Sequence, residues 1–172
     1  LSTASLKHLA EEAGMRPGAK RITPRMERGS SAFHRGFLRG LFDADGSVQG
    51  DQQKGVSVRL AQSDAGTLES VQRMLLRLGI AAHIYLGRRA AGTSCLPDGK
   101  GGKRHYVTRA QYELVVSGEN LRRFADLVGF GDVDKATRLA DALARYRRAL
   151  NREPFTARVK ALVAQESEPV YD

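Results

Sequence analysis

Two aspartates stand one residue apart at the end of an apolar helical pattern. From Ala32 to Asp43 the apolar residues recur at helical spacing, and Asp45 then precedes Gly46, a residue placed to stop a helix. A carboxylate at a helix C-terminus meets the negative end of the macrodipole at a cost of about 0.3 to 1 kcal/mol, which a bound cation would remove. Magnesium suits this place because it takes one or two carboxylates and completes its shell with water and phosphate oxygens.

The same Asp-Ala-Asp-Gly sequence has two other interpretations. A polar helix end followed by a glycine is common in proteins and needs no ligand. A calcium-binding EF-hand loop fits poorly, because the position that a closing glutamate should occupy, counted from Asp43, is Lys54.

Small side chains on this helix predict a contact with a second helix. Gly40 and Ala44 lie four residues apart and therefore share one helix face. Side chains of this size let another helix approach backbone to backbone. We therefore assign Gly40 and Ala44 to a helix interface.

The charge of the chain favours a polyanionic partner. Its 172 residues hold 28 Lys and Arg against 19 Asp and Glu, a net charge of +9. Phosphates attract such a surplus, so nucleic acid is the first candidate, although charge alone does not decide the matter. The single Cys95 excludes an internal disulfide, and no Cys/His cluster has zinc-ligand spacing, so any metal would have oxygen ligands. Without a signal peptide or an apolar stretch of membrane length, we expect a soluble cytoplasmic protein with no membrane partner.

Helical and strand patterns alternate along the chain. In order, they predict a helix (2–14), a connector (15–31), a core helix (32–43), a hairpin (47–53 and 55–62), a helix (67–80), a strand (83–89), a long loop (90–104), a strand (105–117), two helices (117–130 and 134–150) and a weakly alternating tail (153–172). Ser63 or Asp64, Ser117, and Asp132 or Asp134 are the expected helix caps. This order predicts an α+β domain whose antiparallel sheet is covered by helices on one face.

Residues 38–46, Leu-Arg-Gly-Leu-Phe-Asp-Ala-Asp-Gly, closely match the nine-residue LAGLIDADG signature, and the order of elements over residues 20–150 agrees with it. The chain thus resembles LAGLIDADG homing endonucleases of the kind found inside inteins. The resemblance implies an αββαββα half-domain whose sheet lies in the DNA major groove, and sequence-specific cleavage of double-stranded DNA with Mg²⁺. It also implies that the second acid of the motif, Asp45, holds the metal together with Ala44, and it leaves Asp43 as structural.

The resemblance suggests further catalytic residues, each with a simpler alternative. By position, Gln62 matches a polar residue that organises water around the metals, but it is equally an ordinary strand-end residue. Lys135 best fits a basic residue near the scissile phosphate, and its alternative is a surface lysine at a helix start. Lys100 and Lys103 compete with Lys135 for that role.

Basic and polar residues on the predicted strands and loop are candidates for DNA contact. A two-stranded β-ribbon fits the major groove, and a mobile loop rich in lysine can bind the phosphates of the DNA backbone. Each of these residues alone would be ordinary on a solvated surface, so only their combined positive charge and shared sheet face are evidence for DNA binding. The candidates are Gln49, Arg59, Arg88 and Arg109 on the strands, and Lys100, Lys103 and Arg104 in the loop.

A single motif predicts half of an enzyme. Two-metal hydrolysis needs carboxylates from two halves, so the partner is either a second copy in a twofold homodimer or a separate first half. Residues 20–26 resemble the linker before the second motif of intein endonucleases, and 168–172 resemble the start of a C-terminal splicing block. We therefore expect an N-terminal helix and linker (1–31), the endonuclease domain (32–150) and a segment leading to a splicing block (151–172). Because position 1 is Leu1 and no terminal Asn follows, this piece is not expected to splice.

The wider pattern is similar to inteins of adenosylcobalamin-dependent ribonucleotide reductases. Two other functions stay open from the sequence. One is a degenerate relative that binds nucleic acid without cutting it, and the other is an insertion that is chiefly structural.

Overall fold

The computed structural model describes residues 3–12, 14–15, 21–51, 55–146, 161 and 163. The helices are α1 (Thr3–Glu12), α2 (Pro24–Glu27), α3 (Ser31–Asp45), α4 (Ala65–Arg77), α5 (Asn120–Leu127) and α6 (Val133–Ala144). The strands are β1 (Gly46–Asp51), β2 (Gly55–Gln62), β3 (His83–Arg89), β4 (Gly92–Pro97), β5 (Lys103–Thr108) and β6 (Gln111–Ser117). Within the described ranges, no helix is long and apolar enough to cross a bilayer.

Four of the strands form one antiparallel sheet in the order β1-β2-β6-β3. Register aligns Val48 with Val58 and Val58 with Val116, so these side chains point to the same face. They are buried together with residues of α3, α4, α5 and α6. The predicted α+β class, with an antiparallel sheet covered on one face, is confirmed.

The motif helix α3 is longer than the pattern predicted, and its end explains why a glycine follows. The Ser30 side chain accepts a hydrogen bond from the Phe33 N–H and caps the helix at its start. Gly46 has φ −81°, so its role is not the left-handed helix stop that the sequence suggested. A Cβ at Gly46 would lie 2.5 Å from the main-chain oxygen of Phe42. Glycine is needed there because the chain turns directly from helix into β1.

The long loop predicted over residues 90–104 is wrong in part. Strands β4 and β5 pair as a separate two-stranded hairpin, and the strand predicted over 105–117 breaks into β5 and β6. The turn of this hairpin is built by Asp98, whose Oδ1 accepts hydrogen bonds from the N–H groups of Lys100 and Gly102. These donors hold the pKa of Asp98 below its usual value.

Two of the predicted helix caps are found and one is not. Asp64 occupies the N-cap position of α4 without a side-chain cap hydrogen bond to the backbone, and Asp132 caps α6 by accepting from the Lys135 N–H. Ser117 was wrong as a cap, because it is the last residue of β6 and Glu119 precedes α5. The turn at Lys54 and the predicted tail lie outside the described residues, apart from positions 161 and 163.

The segment before the motif helix is fixed to the domain through Glu27. Its carboxylate accepts from the Ser70 hydroxyl at 2.7 Å and from Nε and Nη2 of Arg73 at 2.8 and 2.9 Å. The Arg73 guanidinium, and after it the Ser70 hydroxyl, lowers the pKa of Glu27 to about 2. Part of the predicted connector is therefore an ordered helix, α2, that packs against α4.

Candidate functional site

Asp45, the last residue of α3, presents an exposed carboxylate that one neighbour orients. The side-chain amide of Gln62 donates a hydrogen bond from Nε2 to Oδ2 of Asp45 at 2.8 Å. Gln62 ends β2, and the β1-β2 hairpin that starts directly after α3 brings it back to the helix end. Asp45, the predicted metal ligand, and Gln62, the residue expected to organise water around the metals, therefore lie in contact. Among the described residues, Oδ1 of Asp45 makes no hydrogen bond, so it stays available to a ligand.

Asp43 has a different environment from Asp45. Its carboxylate accepts hydrogen bonds from the N–H of Gly131 at 2.9 and 3.1 Å and from the N–H of Asp132 at 3.1 Å. These donors are the unpaired N–H groups in front of α6, where the helix dipole favours negative charge. The contacts agree with the structural role predicted for Asp43.

Lys135 contacts the same end of the motif helix, and its contacts are with main-chain oxygens rather than with a side chain. Its ammonium donates from Nζ to the main-chain oxygens of Asp43 at 2.5 Å and Phe42 at 3.3 Å. These oxygens belong to the last turn of α3, where the negative end of the helix dipole favours a cation, and the Phe42 oxygen also accepts from the Gly46 N–H. The structure thus shows Lys135 supporting the end of the helix that carries Asp45. Its catalytic role stays a prediction.

The donors present at this helix end fit half of a magnesium site. Among the residues that the structure describes, no group of three or more His, Cys, Asp and Glu could hold a metal ion. Asp45 offers one carboxylate, and Ala44 can offer only its main-chain oxygen because its side chain has no donor atom. Magnesium accepts so few protein ligands when phosphate oxygens or a second carboxylate complete its shell.

The face of the sheet opposite the helices carries the predicted DNA contacts of the strands. Register aligns Ser47 with Arg59 and Gln49 with Ser57 on this outer face. Oε2 of Glu113 on β6 accepts a hydrogen bond from Arg59 Nη1 at 3.2 Å and forms an ion pair with Arg88, whose Nε lies 3.0 Å away. The sequence analysis missed Glu113. The alternation of Gln111–Ser117 could have placed it on the outer face, but not between two arginines.

The remaining predicted DNA contacts are not on the strands of this sheet. Lys100, Lys103 and Arg104 are exposed on the β4-β5 hairpin, and Arg109 is exposed between β5 and β6. Their role in DNA binding stays a prediction. The same is true of Lys100 and Lys103 as alternatives to Lys135 in catalysis.

One face of α3 has no neighbour among the described residues. A Cβ built at Gly36 or Gly40 would meet no atom within 4 Å. Ala44 continues the same face and is exposed, and the stacked rings of Phe33 and Phe37 flank it with centroids 5.8 Å apart. Phe33 is 40% exposed. The structure therefore leaves open the face that the sequence assigned to a helix interface, and it adds Gly36.

Comparison with known families decides the assignment. The family model described as a LAGLIDADG-like domain matches residues 32–129, which hold the motif helix, both hairpins, α4 and α5. The chain belongs to the LAGLIDADG-like family.

Three relatives of this LAGLIDADG-like chain are named as proteins of different kinds. The NrdEB subunit alpha of ribonucleoside-diphosphate reductase from Bacillus subtilis is 29% identical over 140 residues, which is 79% of this chain and 13% of that protein. The probable translation initiation factor IF-2 of Thermococcus kodakarensis is 32% identical over 114 residues, 66% of this chain and 8% of that protein. A DNA polymerase of Thermococcus litoralis is 32% identical over 142 residues, 82% of this chain and 7% of that protein.

The chain thus spans about an eighth of the reductase subunit, and less of the other two proteins. A segment shared by proteins of three different names is what an intein endonuclease carried by different hosts would give. The comparisons therefore agree with the resemblance to intein homing endonucleases. The adenosylcobalamin-dependent host stays a prediction, since proteins of other names match as well.

Proposed function

We propose that this LAGLIDADG-like chain is one half of a magnesium-dependent endonuclease that cuts both strands of a specific DNA site, and that it acts inside an intein. The observation that carries the proposal is the exposed carboxylate of Asp45, held by Gln62 at the end of a helix whose small-residue face is open. A site of this kind becomes complete when a second helix end and a phosphodiester meet it.

Each residue at the helix end has a defined task. Asp45 binds the ion through its unoccupied oxygen, while Gln62 fixes the other oxygen and so the direction of the carboxylate. When bound, the ion neutralises the charge that develops on the phosphodiester during hydrolysis. Asp43 and Lys135 hold the helix end itself in place through α6. A catalytic contribution of Lys135 would require its ammonium to leave the two carbonyl oxygens or to reach the phosphate as well.

The partner that the proposal needs is a second half of the same family. Gly36, Gly40 and Ala44 let two helices approach closely, and Phe33 adds apolar surface to the contact. With a second copy of this chain the enzyme is a twofold dimer and favours a near-palindromic site. With a separate first half, the site is asymmetric.

The outer face of the sheet is the proposed DNA-binding surface. It carries Gln49, Arg59 and Arg88, and the chain has a net charge of +9. Since affinity for DNA falls with salt as counterion release becomes less favourable, binding should weaken steeply between low and physiological salt.

The test is cleavage of a plasmid that carries the uninterrupted host sequence across the insertion point. We expect linear product with Mg²⁺ and none with EDTA, over a series of protein concentrations that reveals dimer formation. Asp45→Asn should bind the plasmid and leave it uncut, because it removes one charge from the proposed ion ligand. The matched control is Asp126→Asn, which removes the same charge from an exposed position of α5 and should cut normally.

Other outcomes separate the alternatives. If the intact chain binds the site with sequence preference but never cuts it, alone or with a first half, the function is binding only. If it shows no sequence-dependent affinity in a salt titration of gel shifts, the domain is chiefly structural and the proposal is wrong.

A further inference from the structure

A carboxylate lies where a DNA-binding surface would be expected to be uniformly positive. The Glu113 side chain is only 11% exposed, and it sits on the outer face of the sheet between Arg59 and Arg88. An acid next to DNA phosphates weakens binding of any sequence through repulsion. Glu113 therefore has a role other than attracting phosphate.

The two arginines bound to Glu113 are not equivalent. Arg59 donates from Nε to the Ser57 hydroxyl at 2.9 Å and from Nη1 to Glu113, and its side chain is 24% exposed. Arg88 forms an ion pair with Glu113, in which Nε lies 3.0 Å from Oε2, and its side chain is 54% exposed. Arg59 is therefore held by two hydrogen bonds, whereas the Arg88 guanidinium makes no hydrogen bond to any residue that the structure describes, so its terminal donors stay available to a ligand.

The backbone of β3 turns Arg88 toward Glu113. Tyr85 aligns with Glu113 and Arg89 with Gln111, so the register shifts between them and β3 bulges over residues 86–88. Gly87 has φ +71°, a backbone conformation that residues with a Cβ rarely adopt. Simple alternation from Tyr85 would place Arg88 on the core face. The bulge places it on the outer face instead, where its guanidinium carbon lies 5.8 Å from the centre of the Tyr85 ring.

Resting on the proposed function, we infer that Arg88 reads one guanine of the target in the major groove and that Glu113 is its positioning residue. Two terminal nitrogens of an arginine match O6 and N7 of guanine, and this pair is the commonest specific contact to DNA. Glu113 and the Tyr85 ring hold the guanidinium in one orientation, so less rotational freedom is lost on binding. The negative charge lowers affinity for all sequences and raises the preference for the one that supplies guanine.

The experiment is selection from a pool of randomised duplex DNA by the whole chain at low salt, followed by sequencing. The wild-type chain should enrich guanine at one position of the bound sequence. Arg88→Lys keeps the charge but loses the fork, so preference at that position should fall on the order of 10-fold, while affinity for random duplex stays nearly the same. Its control is Arg122→Lys, an exposed residue of α5 that should leave the selected sequence unchanged.

Glu113→Gln gives the sharper result because its two effects have opposite signs. Preference for guanine at that position should fall, and affinity for random duplex should rise as one negative charge leaves the surface. A purely structural role would lower both. The matched control is Glu69→Gln on α4, which removes the same charge away from the sheet and should change neither.

The outcomes distinguish the inference from the function on which it rests. If the wild-type chain enriches a sequence that Arg88→Lys and Glu113→Gln enrich equally well, the inference is wrong and the DNA-binding function stands. If no duplex sequence is enriched, both fail. NMR signals of the Arg88 Nε–H report the contact in the free protein, and their loss in Glu113→Gln should accompany the loss of preference.

Discussion

The ammonium of Lys135 binds the main-chain oxygen of Asp43 at 2.5 Å, while the Asp43 carboxylate binds the N–H groups of Gly131 and Asp132 in front of the helix that carries Lys135. The C-terminus of α3 and the N-terminus of α6 therefore hold each other through opposite charges. Each side chain meets the helix end of opposite partial charge. This pair of contacts leaves Asp45 as the motif acid that points to solvent.

The first prediction concerns the stability that Lys135 contributes. Lys135→Met keeps most of the aliphatic stem and removes the ammonium, so the Asp43 carbonyl oxygen loses this donor while that of Phe42 keeps the Gly46 N–H. We expect the free energy of unfolding to fall by about 1 to 2 kcal/mol, measured by urea denaturation. The control is Lys7→Met in α1, an exposed lysine whose recorded ion pair is with Glu11 at 3.9 Å, which should change stability far less.

The same variant separates a supporting role of Lys135 from a catalytic one. Under conditions in which the variant is fully folded, a residue that only supports the helix end should leave the cleavage rate within a few fold of wild type. A loss of 100-fold or more in folded protein would instead assign Lys135 to the chemistry. An unchanged free energy of unfolding would show that the two hydrogen bonds contribute nothing.

The second prediction uses Gly40, at which stability and function should change in opposite directions. A side chain at Gly40 meets no described atom within 4 Å, and glycine disfavours a helix interior by about 1 kcal/mol relative to leucine. Gly40→Leu should therefore make the isolated chain more stable by up to about 1 kcal/mol. It should also abolish pairing with a second half and hence cleavage, because the bulk keeps the helices apart.

The comparison variant is Gly46→Ala. There the added Cβ collides with the main-chain oxygen of Phe42, so stability should fall instead. Denaturation together with analytical ultracentrifugation measures both quantities. Normal pairing and cleavage by Gly40→Leu would contradict the assignment of this face to a helix interface.

Local patterns were enough to predict some of this structure and not the rest. The motif helix, the β1-β2 hairpin and the class of the sheet follow from apolar periodicity and from the match at residues 38–46, which are properties of neighbouring residues. The β4-β5 hairpin could not be predicted, because its strands are almost wholly exposed and show no alternation of polar and apolar residues. Its order comes from backbone pairing and from the turn at Asp98.

At the candidate site too, the contacts that the sequence could not predict are those between residues far apart in the chain. Asp43 and Gly131 are 88 residues apart, so no local pattern tells which of the two motif acids is bound by the backbone. The resemblance to a known family pointed to Asp45 and Gln62, and these two lie in contact. Glu113 was missed because a glutamate in a strand is ordinary until the register places it between two arginines.

The last prediction is a dependence of stability on pH that comes from Glu27. Arg73 and Ser70 lower the pKa of this carboxylate from 4.5 to about 2 in the folded protein. Because the folded pKa is the lower one, the stabilisation is fully present above about pH 4.5 and is lost progressively as the pH falls toward 2. Glu27→Gln is nearly isosteric and cannot ionise, so its stability lacks this component. Urea denaturation between pH 6 and 3 should show wild type losing stability faster than the variant as acid is added. Parallel curves for the two proteins would mean that the contacts of Glu27 with Arg73 do not favour the ionised form.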